Sequence, residues 1–330
     1  MAGVPTSRSA HMSSVDVLRG LASAAVVWFH FTGLLPPGWL QRSGSYGWLG
    51  VDVFFVISGF IIPYALYRGG YTLQRYPRFL AKRIIRLDPP YLVSVALAIA
   101  GIYIGTALSH GPPDPRLTLP GILLHIGYLN FIAGYPWLND AYWTLAVEFQ
   151  YYLLMGLLFP ALGSSRGVVR WLTLAALGGL CFLIPANELI FRYLWIFMAG
   201  IVTFQARVDL IRSSEYWVLL VVSIGGTWFS LGSVHALAAA SAIAVLQLDQ
   251  IKNRPLLFLG EISYSLYLLH ASTGWFVILL LRGWGLAETL LGQIATLASA
   301  CALAITSAWL LYWLVERPSR KWSSRIRYNP

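Results

Sequence analysis

Arg19 and His30 stand eleven positions apart in the apolar run VDVLRGLASAAVVWFHF, Val15 to Phe31. Eleven residues of α-helix make about three turns and roughly 16 Å of rise, so the two side chains share one face. A histidine can take a proton from a hydroxyl or attack an acyl carbon. An arginine can grip an anion through its fork of donors. Ionisable groups are costly inside a bilayer and, where kept, face a bundle interior or a water-filled path. Singly, His30 could be a satisfied core histidine and Arg19 an arginine snorkelling to the interface. Together on one face they point to a polar track, with Asp16 and Arg19 at its cytoplasmic mouth.

Three further stretches carry chemistry. In YWTLAVEFQYYLL, Glu148 lies about six residues, or roughly 9 Å, into its helix. His30 lies about five residues from the outer end of its own. The matching depths predict that Glu148 meets His30, fixes its tautomer and stabilises the imidazolium; a structural carboxylate paired with an arginine is the alternative. In GVDVFFVISGF, Asp52 falls near the outer surface, supporting His30 or capping the helix start. Ser58 lies deeper, beside Gly59, where the small pair could equally serve close helix packing. In EISYSLYLLH, Ser263, Tyr267 and His270 follow i, i+4, i+7 with Tyr264 adjacent, a polar stripe suited to a cavity wall or to bonds between helices. Arg83, Arg86 and Arg317 join Arg19 at the cytoplasmic face. Arg83 and Arg86 are i, i+3 neighbours if KRIIR is helical, and paired arginines suit phosphate; anchoring to anionic lipid is the simpler use.

The elements that must hold these residues follow from composition. Of 330 residues 58% are hydrophobic and 11% charged, far below the quarter usual in soluble domains. The 14 Trp and 18 Tyr suit bilayer interfaces. The net charge of +10 comes in short clusters between apolar runs, as topology demands, not in the single stripe nucleic acid would require; nucleic-acid binding has no support. Cys181 and Cys301 lie in apolar runs, so no disulfide framework is expected. The first run lacks a clear cleavage site and reads as a retained helix.

Eleven apolar candidates fall at 15–35, 47–68, 87–108, 119–134, 142–162, 168–186, 189–206, 215–231, 233–249, 257–281 and 289–315. The basic segment LQRYPRFLAKRIIR, read as a loop, and the basic tail ERPSRKWSSRIR share the cytoplasmic side only if 119–134 does not cross. It is also the shortest run and holds Pro120, His125 and Asn130. The expected fold is therefore an all-α integral membrane bundle of ten transmembrane helices, with a short non-spanning or re-entrant segment near 119–134 and both termini cytoplasmic. A cytoplasmic tail (1–14), one transmembrane domain (15–315) and a basic cytoplasmic tail (316–330) make up the chain. The absence of an internal repeat counts mildly against a transporter built from inverted halves.

Taken in order, DVLRGLASAAVVWFHF, GVDVFFVISGFII, RIIR, YWTLAVEFQYYLL, ISYSLYLLH and VERP resemble the motifs of membrane-bound acyltransferase family three. The resemblance runs over roughly residues 14–318. It implies ten helices and transfer of an acyl group, often acetyl, from acyl-CoA to a hydroxyl. His30 would be the catalytic histidine, and Arg19, Arg83 and Arg86 the positions tied to acyl-CoA. Thr144 stands where the family usually has Ser, and Phe149 with Gln150 where Glu-Gln is common; Glu148 is kept. No appended esterase-like domain is expected.

The combined expectation is an O-acyltransferase of the cell membrane, most simply the cytoplasmic membrane of a bacterium. Its co-substrate is acyl-CoA, most simply acetyl-CoA, with no permanently bound cofactor and no metal. Its partners are the lipid bilayer, acyl-CoA and a hydroxyl-bearing acceptor such as a glycan or a secondary metabolite. His30 acts as general base, or as nucleophile, with Glu148 orienting it; Ser263, Tyr264, Tyr267 and His270 position the thioester or face the oxyanion. A multi-pass transporter or flippase of a glycan, lipid or metabolite is the competing class.

Overall fold

The computed structural model describes residues 12–110, 112–184, 186–248 and 251–327; the outermost parts of the two expected tails lie outside these. Helix is the natural answer for an apolar chain in lipid, because it pairs every backbone group within the segment. Among the described residues there are ten helices of fourteen residues or more: α1 (Ser13–Thr32), α3 (Gly50–Arg68), α4 (Tyr76–Ser109), α6 (Tyr142–Leu162), α7 (Gly167–Leu183), α8 (Leu194–Arg207), α9 (Ser213–Leu231), α10 (Ser233–Leu246), α11 (Arg254–Gly283) and α12 (Leu290–Leu311). Shorter helices are α2 (Trp39–Ser43), α5 (Leu119–Leu124) and α13 (Arg317–Arg325). Five helical stretches, Trp39–Arg68, Leu73–Leu108, Tyr142–Leu162, Arg254–Gly283 and Leu290–Arg325, are long and apolar enough to cross a membrane.

Helix starts follow local chemistry. Asn253, Thr118 and Thr289 each accept a backbone N–H of the following turn, and prolines occupy the first turns of α4, α5, α11 and α13, where no N–H is missed. The outward faces are apolar: Leu183, Phe229 and Leu291 are exposed at 77%, 88% and 78%, a surface that only lipid can solvate.

The basic segment departs from expectation, and the irregular one agrees with it. The stretch from Arg75 to Arg86 is not a loop: α4 starts at Tyr76 and runs on through Pro89 and Pro90, which gives Arg83 and Arg86 the i, i+3 relation of one helical face. The tail is not free either: α13 packs against α4 and the Lys82 ammonium donates to the Ile326 carbonyl at 3.3 Å. The 119–134 run yields only α5 and a turn at His125–Gly127, far short of the roughly 20 residues a crossing needs. Contacts such as Arg83 over Tyr152 and Ser94 to Tyr142 make α4 and α6 antiparallel. The segment between them therefore leaves and re-enters at one end of the bundle. Its turns are pinned from inside: His125 bonds the Gly121 carbonyl and the Leu138 N–H, and Tyr128 stacks on Tyr91 and Phe149. Outside the bundle, the Arg116 guanidinium beside Asp114 holds that carboxyl below the usual carboxylate range.

Two crossings set the core. Helices α1 and α11 run parallel, with Arg19 against Ser263 and His30 against His270. They approach through Gly20 and Gly260: a Cβ on Gly260 would lie 2.0 Å from the Asp16 carbonyl oxygen. Helices α3 and α8 meet likewise at Gly59 and Gly200, beside Phe55 and Tyr151, which both stack on Phe197.

Candidate active site

Two cavities lie along α1, an inner one toward its N-terminal end and an outer one toward its C-terminal end. The inner one, about 170 Å³, begins between Val15 and Arg19 of α1 and Arg83 and Arg86 of α4. Its walls are mainly apolar, from Phe54, Ile57, Ile61 and Leu145, with Ser58, Glu148, Tyr152, Ser263 and Tyr264 set among them. Arg19 Nε donates to Ser263 Oγ at 3.2 Å. The Arg83 guanidinium lies over the Phe79 and Tyr152 rings, 5.5 Å from each centroid, and its Nε has no partner among the described residues. Rings can hold a guanidinium without consuming its donors, so those donors remain available to an anion. Tyr264 OH donates to the Leu87 carbonyl at 2.9 Å, tying α11 to α4.

The outer cavity, about 340 Å³, is lined by His30, Trp48, Asp52, Asp140, Trp143, Asn187, Arg192 and His235. Val51, Thr144 and Tyr267 line both cavities. Thr144 Oγ1 and Tyr267 OH are 2.6 Å apart, and Tyr267 OH also reaches the Ala141 carbonyl at 3.2 Å. A hydrogen-bonded pair and a valine thus stand where the two cavities adjoin. The threonine at position 144 keeps the hydroxyl that a serine would supply.

The expected Glu148–His30 pair is not formed. Glu148 accepts from Ser58 Oγ at 2.9 Å and from Tyr152 OH, four residues on along the same helix face, and it lines the inner cavity. Equal depths did not bring the two side chains together, because the Glu148 face of α6 turns toward α3 and α4. His30 instead packs on the rings of His270, Trp275 and Phe29, with centroids 5.1, 5.8 and 5.1 Å away. His270 is fully buried and its Nδ1 lies 2.8 Å from the Tyr267 carbonyl. A carbonyl only accepts, so Nδ1 carries the hydrogen, and in the neutral ring Nε2 keeps its lone pair. That Nε2 and the indole Nε1 of Trp275 are buried without partners among the described residues. One unspent acceptor and one unspent donor therefore flank His30.

Other expected residues divide. Ser263, Tyr267 and His270 do form one stripe, leading from the inner cavity to His30. Asp52 is buried and, rather than capping α3 or touching His30, lies 2.7 Å from His235 Nδ1. Asp16 stays in the first turn of α1, behind Arg19. Arg317 does not join the arginine group: it is exposed, its guanidinium over Trp313 at 4.2 Å. Its neighbour Arg320 turns inward to Glu316 at 2.6 Å and to the Glu261 carbonyl. A π-helical turn, Tyr312–Glu316, rotates the faces at this point, which sequence spacing did not reveal. His235, Tyr152, Trp275 and Arg192 escaped the sequence reading. Tyr152 was visible as the i+4 partner of Glu148, and His235 as the one titratable residue of SVHALAAASAIAVL.

Comparison with known proteins points to one family. The acyltransferase domain profile of family three matches residues 12–313. BcsY of Komagataeibacter xylinus, named as a membrane-bound transacylase, is 30% identical over 94% of this chain and 83% of its own length. The O-acetyltransferase OatA of Staphylococcus aureus (strain NCTC 8325 / PS 47) is 26% identical over 94% of this chain, which spans 57% of that relative. The exopolysaccharide production protein ExoZ of Rhizobium meliloti (strain 1021) is 29% identical over 82% of this chain and 89% of its own. No solved structure matches.

Proposed function

From the premise that this chain belongs to acyltransferase family three, we propose that it moves an acyl group, acetyl in the simplest case, from cytoplasmic acyl-CoA to a hydroxyl of a carbohydrate or other small acceptor. It is an acyltransferase for groups other than aminoacyl groups and a multi-pass membrane protein. The observation that carries the finer reading is the pair of cavities: one lined by Arg19, Arg83 and Arg86, the other by His30, with Val51, Thr144 and Tyr267 lining both.

In this reading the CoA phosphates engage Arg19, Arg83 and Arg86 by charge-assisted hydrogen bonds. The pantetheine arm lies along the apolar inner cavity, and the thioester reaches His30 past the Thr144–Tyr267 pair. The rise from Arg19 to His30, roughly 16 Å, suits an extended arm. His30, its ring held between His270 and Trp275, takes the proton of the acceptor hydroxyl as that oxygen attacks the thioester carbon. The carbon–sulfur bond breaks and CoA leaves as thiolate, taking up the proton. The Trp275 N–H is a donor on hand for the developing oxyanion. The membrane is the cytoplasmic membrane of a bacterium, crossed ten times with both termini inside. Three features support that: parallel α1 and α11, the α4–α6 hairpin with its non-crossing excursion, and the basic clusters after α3 and α12.

The test is a transfer assay with purified protein, labelled acetyl-CoA and a panel of acceptors, with products read by mass spectrometry. His30→Ala is expected to abolish transfer while the protein remains inserted and folded; retained activity removes His30 from the mechanism. A histidine-linked acyl group trapped when acceptor is withheld replaces general-base by nucleophilic catalysis. Acceptor movement without acyl-CoA dependence would make the chain a transporter.

A further inference from the structure

The outer cavity holds a second histidine that the transfer step leaves unused. His235 is the third residue of α10 and follows Gly232, whose φ of +110° turns the chain from α9 into α10. Its Nδ1 lies 2.7 Å from Asp52 Oδ2. With Asp52 ionised the carboxylate only accepts, so Nδ1 donates and Nε2 is left for another partner. Asp52 is 2% exposed, and a carboxylate is not desolvated that far without cost. A purely structural pair would hide the imidazole as well, yet His235 lines the cavity.

The surroundings say what it could meet. The Trp48 ring stands edge-on to His235 with centroids 4.8 Å apart, and Trp143 lines the same space. Asp140, Asn187 and Arg192 add acceptors and donors. Indole faces among groups of this kind suit a ligand with both C–H faces and several hydroxyls. The volume of about 340 Å³ falls within the roughly 300–1,000 Å³ of small-molecule sites.

We propose that the outer cavity seats the acceptor and that His235, held by Asp52, hydrogen-bonds one of its hydroxyls so that a neighbouring hydroxyl faces His30. The assignment rests on the transferase reading above. It makes the acceptor a polyol engaged at two hydroxyls, not a simple alcohol. His235 is a binding residue that selects the hydroxyl to be acylated, Asp52 is the positioning residue behind it, and neither exchanges a covalent bond.

The experiment uses the full-length protein in detergent with labelled acetyl-CoA, methyl pyranosides as polyol probes and butanol as the single-hydroxyl probe. In His235→Ala the KM for the pyranosides should rise about ten- to a hundred-fold, the loss expected for one hydrogen bond to a charge-supported group. The acetyl should spread over more than one ring hydroxyl. Acetyl-CoA affinity should stay as in the wild type, and the butanol KM should shift far less than the pyranoside KM. His235→Gln, which keeps a hydrogen-bonding group, should recover part of the pyranoside affinity, and Asp52→Asn should shift KM in the same sense as His235→Ala. Unchanged pyranoside KM and product pattern in His235→Ala overturn the proposal. So does loss of acetyl-CoA affinity and thermal stability in both His235 variants, which would make the pair structural. Wild-type acylation of butanol alone leaves the transferase reading intact and removes this one; acylation of no probe removes both.

Discussion

Replacing Gly260 by alanine tests whether the α1–α11 crossing is what registers the site. The added Cβ would lie 2.0 Å from the Asp16 carbonyl oxygen and 2.7 Å from its carbon. Ordinary contact begins at 3.4 Å, which exceeds the first of these by 1.4 Å. The obstacle is backbone, so no rotamer change relieves it, and the two helices must separate by about an ångström. Overpacking of this kind costs roughly 1–3 kcal/mol, a shift of a few degrees in the unfolding midpoint for a chain of this size. The functional loss is expected to be larger. Arg19 and His30 ride on α1, Ser263 and His270 on α11, and a misplacement of about 1 Å at reacting groups can cost roughly a hundred-fold in rate. Initial rates with labelled acetyl-CoA, beside thermal unfolding in detergent, separate the two effects. Gly179→Ala is the control, since nothing lies within 4 Å of its added Cβ; transfer should be unchanged and stability no lower, because alanine favours a helix interior over glycine. Wild-type transfer and stability in Gly260→Ala would refute the reasoning.

Glu148→Gln should leave the pH dependence of kcat where it is and raise the acetyl-CoA KM about five-fold, because Ser58 and Tyr152 exchange a charged acceptor for a neutral one; a displaced acidic limb of the kcat profile would reinstate contact with His30. Thr144→Ser should transfer within about two-fold of wild type, whereas Thr144→Val should lower stability by about 1 kcal/mol and slow transfer; equal rates in both would detach the Thr144–Tyr267 bond from function. Arg83→Ala with Arg86→Ala should weaken acetyl-CoA binding at least about ten-fold in direct titration, and unchanged affinity would reduce both residues to topology signals.

Much of this molecule is readable in one dimension because lipid imposes simple rules. Helix positions follow from apolar length, and charge parity against the weak 119–134 run anticipated a segment that leaves and returns at one end. Register along a single helix was equally accessible, as the Arg19–His30 face and the Ser263, Tyr267, His270 stripe show. Rotation of one helix against another was not. Depth alone could not say that Glu148 turns toward Ser58 and Tyr152 while His270 and Trp275 flank His30. Nor could it pair Asp52 with His235, since that contact joins α3 to α10 across most of the sequence and depends on the tight turn at Gly232. The π-helical turn at Tyr312–Glu316 shifts phase by geometry that no residue spacing announces, so Arg317 lies out over Trp313 and Arg320, not singled out from the sequence, turns inward to Glu316.

The junction at Val51, Thr144 and Tyr267 has a consequence beyond chemistry. An energised membrane stores about 2.3 kcal/mol per elementary charge for each 100 mV, and a catalyst hollowed from both ends thins the insulation that preserves it. Here the two cavities share three lining residues, Val51, Thr144 and Tyr267, the last two joined by a hydrogen bond of 2.6 Å. On the proposed route an acyl carbon passes that point in each turnover, so the same three side chains would also have to keep protons from following it, an insulating duty beside the catalytic one.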